Sequence, residues 1–147
     1  MPRTETMSPR ERVLAALNHE EADRIPIDLG GFQTGIHRIA YRQLADYLGF
    51  DETLEMRDVV QQIVVPSERV LGLVHADVRY VTAHGPDGFV GEIMQNVRNG
   101  RLWHDLTDEF GAVWSMPDDQ MLYMDISHHP LAHAQTEDIA DYPFPDG

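Results

Sequence analysis

Apolar positions along the chain fall into short groups with different spacings. Val13, Leu14 and Leu17 share one helical face behind Ser8, Pro9 and Glu11. Ser8 can cap, Pro9 sits where no amide hydrogen is needed, and Glu11 closes a capping box. A helix is therefore predicted from this start to Asn18 and His19. Ile25, Ile27 and Leu29 then alternate with Pro26 and Asp28. This is the period of a strand in which the proline forbids one ladder bond. Gly30, Gly31 and Gly35 form a loop able to bring backbone amides close to a ligand. Ile36, Ile39, Ala40, Leu44, Tyr47 and Leu48 make a helical stripe over residues 36–48, and Gly49 fits the position after its end. Residues 51–57 read as an acidic connector, and residues 58–65 fit a strand or a helix equally. Pro66 and Ser67 predict a third helix, with Val70, Leu71 and Val74 inward. Residues 77–81 read as a second strand, and residues 84–88 as a turn.

From Phe89 the pattern shortens. Asn99-Gly100 and Gly111 punctuate runs around Trp103 and Trp114, which predicts one or two β-hairpins. Residues 123–126 fit a further strand, and Thr136 can cap a short helix over residues 137–142. The expected organisation is βα units over 7–88, a β-rich insert over 89–135, and a further helical segment over 136–147.

The chain has 147 residues, with 25 acids, 11 arginines and a formal charge of −14. Residues 1–50 carry 7 acids against 6 arginines, and residues 51–147 carry 18 against 5. Such an acidic field repels phosphate backbones, so a nucleic-acid partner is not expected. With no lysine, neither a Schiff base nor a P-loop lysine is available. With no cysteine, disulfides, thiolate nucleophiles and cysteine–zinc sites are excluded from these residues. The absence of disulfides suits a cytoplasmic protein. No apolar run approaches the roughly 20 residues of a membrane span, and residues 1–6 lack a signal-peptide core.

The string R-E-R-V-L-A-A-L-N-H-E-E-A-D-R-I-P-I-D-L-G-G (10–31), the helix that follows, and H-A-D-V-R-Y-V (75–81) resemble the N-terminal segment of the uroporphyrinogen decarboxylase superfamily. That superfamily includes the decarboxylase and corrinoid-linked methyltransferases. The resemblance covers most of this chain but under half of a typical member. It implies an α/β fold: the N-terminal part of a (β/α)8 TIM-type barrel, left incomplete and carrying a β-hairpin insert. A closed barrel takes roughly 250 residues. The opening strands, residues 25–29 and 77–81, would then have bare edges that invite aggregation.

Two departures separate the chain from the decarboxylase itself. That enzyme follows its first strand with an arginine-bearing R-Q-A-G-R-Y segment that grips carboxylates, whereas this chain has L-G-G-F-Q-T-G (29–35), and its next arginine is Arg38. A polycarboxylate substrate needs cationic forks. The decarboxylase also places an aspartate after its second strand, where this chain has Thr82-Ala83-His84. The resemblance therefore implies the methyltransferase branch, in which a methyl group moves between a corrinoid-protein partner and a thiol or related acceptor. Zinc held by later histidines and cysteines would serve the parent. No cofactor is expected within this chain, which alone is expected to be inactive. Asp28, Gly30, Gly31, Gln33 and Thr34 are expected to line a substrate pocket, with His37 in reach of the same loop. The alternatives are a true tetrapyrrole decarboxylase, and a non-enzymatic acidic α/β binding module or half of a split protein, with the rest of the barrel or a second copy as partner.

The remaining motifs have plainer readings. His128, His129 and His133 lack the glutamate of an H-E-x-x-H helix and read as surface histidines. His104-Asp105 reads equally as an imidazole–carboxylate pair or as a hairpin hydrogen bond. Trp103, Phe110 and Trp114 read as a cross-strand aromatic cluster. Asp105, Asp108, Glu109, Asp118 and Asp119 read as a solvated acidic face.

Overall fold

Helix α1, Pro9–Leu17, begins as its first residues dictate. The Ser8 hydroxyl accepts from the Glu11 N–H and the Glu11 carboxylate accepts from the Ser8 N–H. The computed structural model describes residues 5–82 and 91–145, and the chain divides into two units, Met1–Val81 and Thr82–Gly147.

In the first unit the loop after residue 30 runs into strand β1, Ile36–His37, and helix α2, Arg38–Leu48. Gly49 ends α2 at φ 67°, a left-handed conformation that glycine adopts without penalty. Strands β2, Glu55–Asp58, and β3, Ile63–Val65, follow, then helix α3, Glu68–Leu73, capped by the Ser67 hydroxyl. The sheet order is β1-β3-β2, antiparallel throughout. Tyr41, Val64 and Val70 form the core, packed by Leu29, Ile36, Leu44, Phe50, Leu54 and Met56. The Tyr41 hydroxyl leaves this apolar centre satisfied: it donates to Glu52 at 2.5 Å and accepts from the Ser67 N–H at 2.9 Å. Burial, followed by the neighbouring Glu52 carboxylate, raises the phenol's pKa above its ordinary value.

The second unit is a four-stranded antiparallel meander. Its strands are β4, Ile93–Arg98; β5, Arg101–Thr107; β6, Val113–Pro117; and β7, Asp125–His128. Asn99-Gly100 joins β4 to β5 at φ 52° and 73°, as its type I′ turn requires. Helix α4, Thr136–Ala140, lies near the C-terminus, and Gln135 rather than Thr136 caps it.

The barrel expectation is overturned. A (β/α)8 barrel is built from parallel strands joined by crossover helices. Both sheets here are antiparallel, and strands and helices do not alternate in that way. Residues 25–29 and 77–81, expected as the first two barrel strands, belong to neither sheet. A side chain takes the place of a ladder between them. The Ile27 N–H donates to the Asp77 carboxylate at 2.8 Å, and the Asp77 N–H donates to the Ile27 carbonyl at 2.7 Å. Ile25 is consequently 84% exposed instead of facing a core. The turn expected at residues 84–88 lies outside the described residues.

Candidate functional site

A buried ionic hub precedes the site and fixes its walls. The Arg12 side chain, 1% exposed, donates through Nε to Asp23 at 2.6 Å, through Nη2 to the Met7 carbonyl at 2.7 Å, and through Nη1 to Asp77. Arg24 donates to Asp77 at 2.5 and 3.0 Å and to Glu5 at 2.9 Å. Asp77 is fully enclosed. Its burial raises the carboxyl pKa, but the bonds from Arg24, the Ile27 N–H and Arg12 outweigh that and hold it below its ordinary value. The Arg12 guanidinium, with the Met7 N–H, holds Asp23 well below the usual carboxylate range. The hub joins α1, residues 23–27 and residues 75–77, so it sets where residues 28–35 and 78–80 meet.

There the loop closes on itself. The Gly30 N–H donates to the Thr34 carbonyl at 3.0 Å, and the Gly31 N–H to the Thr34 hydroxyl at 3.1 Å. Tyr80 lies across this ring. Its hydroxyl donates to Asp28 Oδ2 and stands 3.4 Å from the Thr34 hydroxyl. Asp28 Oδ1 is buried with no hydrogen-bond partner among the described residues. Gly31 is required by closeness: a Cβ there would lie 2.3 Å from the Tyr80 ring. Gly30 combines φ +107° with a Cβ position 2.9 Å from the Pro66 ring. Beyond Tyr80 opens a cavity of about 180 Å³, lined by Gly30, Arg57, Pro66, Glu68, Arg79 and Tyr80 among others. The Arg57 guanidinium stacks on the Tyr80 ring at 5.3 Å. Arg79 is committed to the Glu68 carboxylate at 2.8–3.1 Å and to the Ala76 and Val78 carbonyls. The Arg79 bond is the first cause that lowers the Glu68 pKa.

Of the expected site residues, Asp28, Gly30, Gly31 and Thr34 come together around Tyr80. Gln33 is exposed in the loop. His37 caps α2, its Nδ1 accepting from the Ile39 N–H at 3.2 Å. Asp28 neither pairs with Arg24 nor caps a helix. No local pattern in the sequence marks Tyr80, Arg57 or Pro66 as neighbours of this loop. The glycine pair was the one local hint that something bulky lies against the loop.

The second unit corrects three readings. His104 and Asp105 occupy successive positions of β5 and so face opposite sides of the sheet. The His104 Nε2 partner is Asp118 at 2.7 Å, while Asp105 accepts from Asn96 at 2.7 Å, from Ser115 at 2.6 Å and from Arg98. Trp103 and Trp114 also lie on opposite faces: Trp114 opposes Leu106, and Trp103 opposes Pro117. Trp103 and Trp114 therefore do not share a cluster. Trp103 has the Arg98 and Arg101 guanidiniums at 4.7 and 5.4 Å, and the Trp114 indole donates to Asp108 at 2.8 Å. The acidic residues are not simply a solvated face, since Asp105, Asp108, Asp118 and Asp119 all hold specific partners.

The zinc implied for the parent finds no fitting donor set among the described residues. There is no cysteine, and among the described residues no three histidine or acidic side chains gather as a metal site. No helix is long and apolar enough, among the described residues, to cross a membrane. Compared with known protein families, with curated proteins and with solved structures, the chain finds no match.

Proposed function

We propose that this chain contributes a small-molecule binding site to a uroporphyrinogen-decarboxylase-like, corrinoid-linked methyl-transfer system in the cytoplasm. The site is the loop of residues 28–35 with Tyr80. The observation that carries the reading is the Asp28–Tyr80–Thr34 cluster: a buried carboxylate oxygen without a hydrogen-bond partner among the described residues, next to two hydroxyls, with Tyr80 also lining the cavity. A buried acceptor left unpaired costs about 1–3 kcal/mol, which a hydrogen-bond-donating ligand would recover. The cavity size supports the smaller substrates. At about 180 Å³ it lies below the roughly 300–1,000 Å³ of drug-sized pockets. It suits a small methyl donor or thiol acceptor better than a tetrapyrrole with many carboxylates. Arg79, already committed to Glu68, is a weak fork for such a substrate.

Asp28 accepts from the ligand and from Tyr80. Tyr80 presents its ring as one wall. The missing Cβ atoms of Gly31 and Gly30 make room for the Tyr80 and Pro66 rings, two walls of the cavity. The methyl group itself would be carried by the corrinoid of a partner protein.

Amide-resolved NMR of the chain tests this, with methylamine and 2-mercaptoethanol as small probes and coproporphyrin as the polycarboxylate probe. Shifts confined to Gly30, Gly31 and Tyr80 with a small probe, weakened by Tyr80→Phe, are expected. A response to coproporphyrin alone would favour the decarboxylase. No response to any probe in a folded sample would refute the pocket.

A further inference from the structure

Among the described residues, strand β4 is an edge of the second sheet, and all six of its residues are exposed. Ile93, Met94 and Val97 show 42%, 61% and 71% of their surface. The opposite edge, β7, has four residues and a bulged ladder to β6, a device that turns an edge away from further pairing. Strand β4 has no proline, and its register with β5 runs unbroken from Ile93 to Arg98.

The Asn99-Gly100 turn decides which backbone groups of β4 point outward. A two-residue type I′ turn closes on a hydrogen-bonded pair, here Arg98 with Arg101. Bonded and non-bonded pairs then alternate. Arg98, Asn96 and Met94 turn their N–H and C=O groups toward β5, and Val97, Gln95 and Ile93 turn theirs outward. An added antiparallel strand must bond through those three residues. If that strand is β4 of another copy, odd positions must oppose odd positions. The centred register sets Gln95 opposite its own copy and Ile93 opposite Val97. Between them, Met94 opposes Asn96, and Glu92 opposes Arg98. Apolar meets apolar, and carboxylate meets guanidinium twice, at non-bonded pairs where side chains come closest. A slip of two residues in either direction loses both ion pairs and both Ile93–Val97 pairs. Arg98 serves Asp105 and Ser115 through Nη2, and Glu92 is exposed.

We infer that β4 is a self-association edge: two copies of this chain pair β4 antiparallel about a two-fold axis at Gln95, joining their four-stranded sheets. Self-pairing needs no foreign partner, because the complementary charges lie at the two ends of one segment.

Sedimentation of the full chain at about 0.1 mM is expected to show a dimer. The natural sequence has no cysteine, so Gln95→Cys introduces a lone thiol at the two-fold axis. Opposed Cα atoms in a bonded pair lie about 5.5 Å apart, within disulfide reach, and this variant is expected to oxidise to a covalent dimer. Glu92→Arg sets arginine against Arg98 at both ends and is expected to weaken the dimer about tenfold or more. Its circular dichroism should stay unchanged, because residue 92 is exposed and precedes the strand. A monomer at that concentration would overturn the inference. So would a dimer that tolerates Glu92→Arg and whose Gln95→Cys variant stays reduced.

Discussion

Replacing Asp77 with alanine removes the centre of the ionic hub and leaves two guanidiniums behind. Asp77 accepts from Arg12, from Arg24 at 2.5 and 3.0 Å, and from the Ile27 N–H at 2.8 Å. Breaking a buried ion pair by deleting one partner costs about 3–5 kcal/mol, because the survivor stays desolvated. Here the survivors keep some partners: Arg12 retains Asp23 and the Met7 carbonyl, and Arg24 retains Glu5 and the Ile25 carbonyl. The lower end, about 3 kcal/mol, is therefore expected. A unit of this size holds about 4–12 kcal/mol in total, so the loss is a large fraction. Urea titration followed by circular dichroism at 222 nm, which reads α1, α2 and α3, measures it. The sign with pH is fixed by the lowered pKa values of Asp77 and Asp23. Both carboxyls bind a proton more readily when unfolded, so the hub stabilises fully above their unfolded pKa, near pH 4. That contribution is lost as pH falls further toward the folded values. The difference between the natural chain and Asp77→Ala should be full at pH 7 and shrink below about pH 4. A loss under about 1 kcal/mol at pH 7 would refute the claim that burial makes the hub costly to break.

Glycine positions give a paired test. Gly35→Ala would place a Cβ 2.7 Å from the Gly31 carbonyl oxygen and 2.5 Å from Ile63, and should cost about 1–3 kcal/mol by urea titration. Gly72→Ala, in α3 with nothing within 4 Å of its Cβ, should instead stabilise by about 0.5–1 kcal/mol. Gly31→Ala displaces the exposed end of Tyr80, and should abolish small-probe shifts in NMR with a smaller effect on the melt. Asp108→Ala removes the acceptor for the Phe110 and Ala112 N–H groups and the Trp114 indole. It should destabilise the second unit by about 2 kcal/mol, read as an earlier transition in tryptophan emission.

The local elements are legible in the sequence because their interactions span few residues. The Ser8–Glu11 box, the Gly49 terminus and the Asn99-Gly100 turn each close within a turn of chain, so three or four residue identities suffice. Residues 25–29 show the opposite case. Their alternation is real, yet alternation records only which side chains could face a core and says nothing of what satisfies the backbone. The Asp77 carboxylate, 50 positions along, supplies that partner, and a strand is no longer needed. The same distance hid the site. Asp28, Gly31 and Thr34 stand out locally because glycines allow close approach of another group to the backbone. Tyr80 stands 52 positions from Asp28 in a run that reads as a strand, and no local pattern ties a tyrosine to a glycine whose missing side chain it replaces. Short strands compounded this: β1 has two residues and β3 three, too few for any period to register. The barrel is what the family resemblance implies, and one helix and one alternating run fit its opening. Fold class depends on the direction in which strands pair, and in this chain that is set by contacts from outside each run.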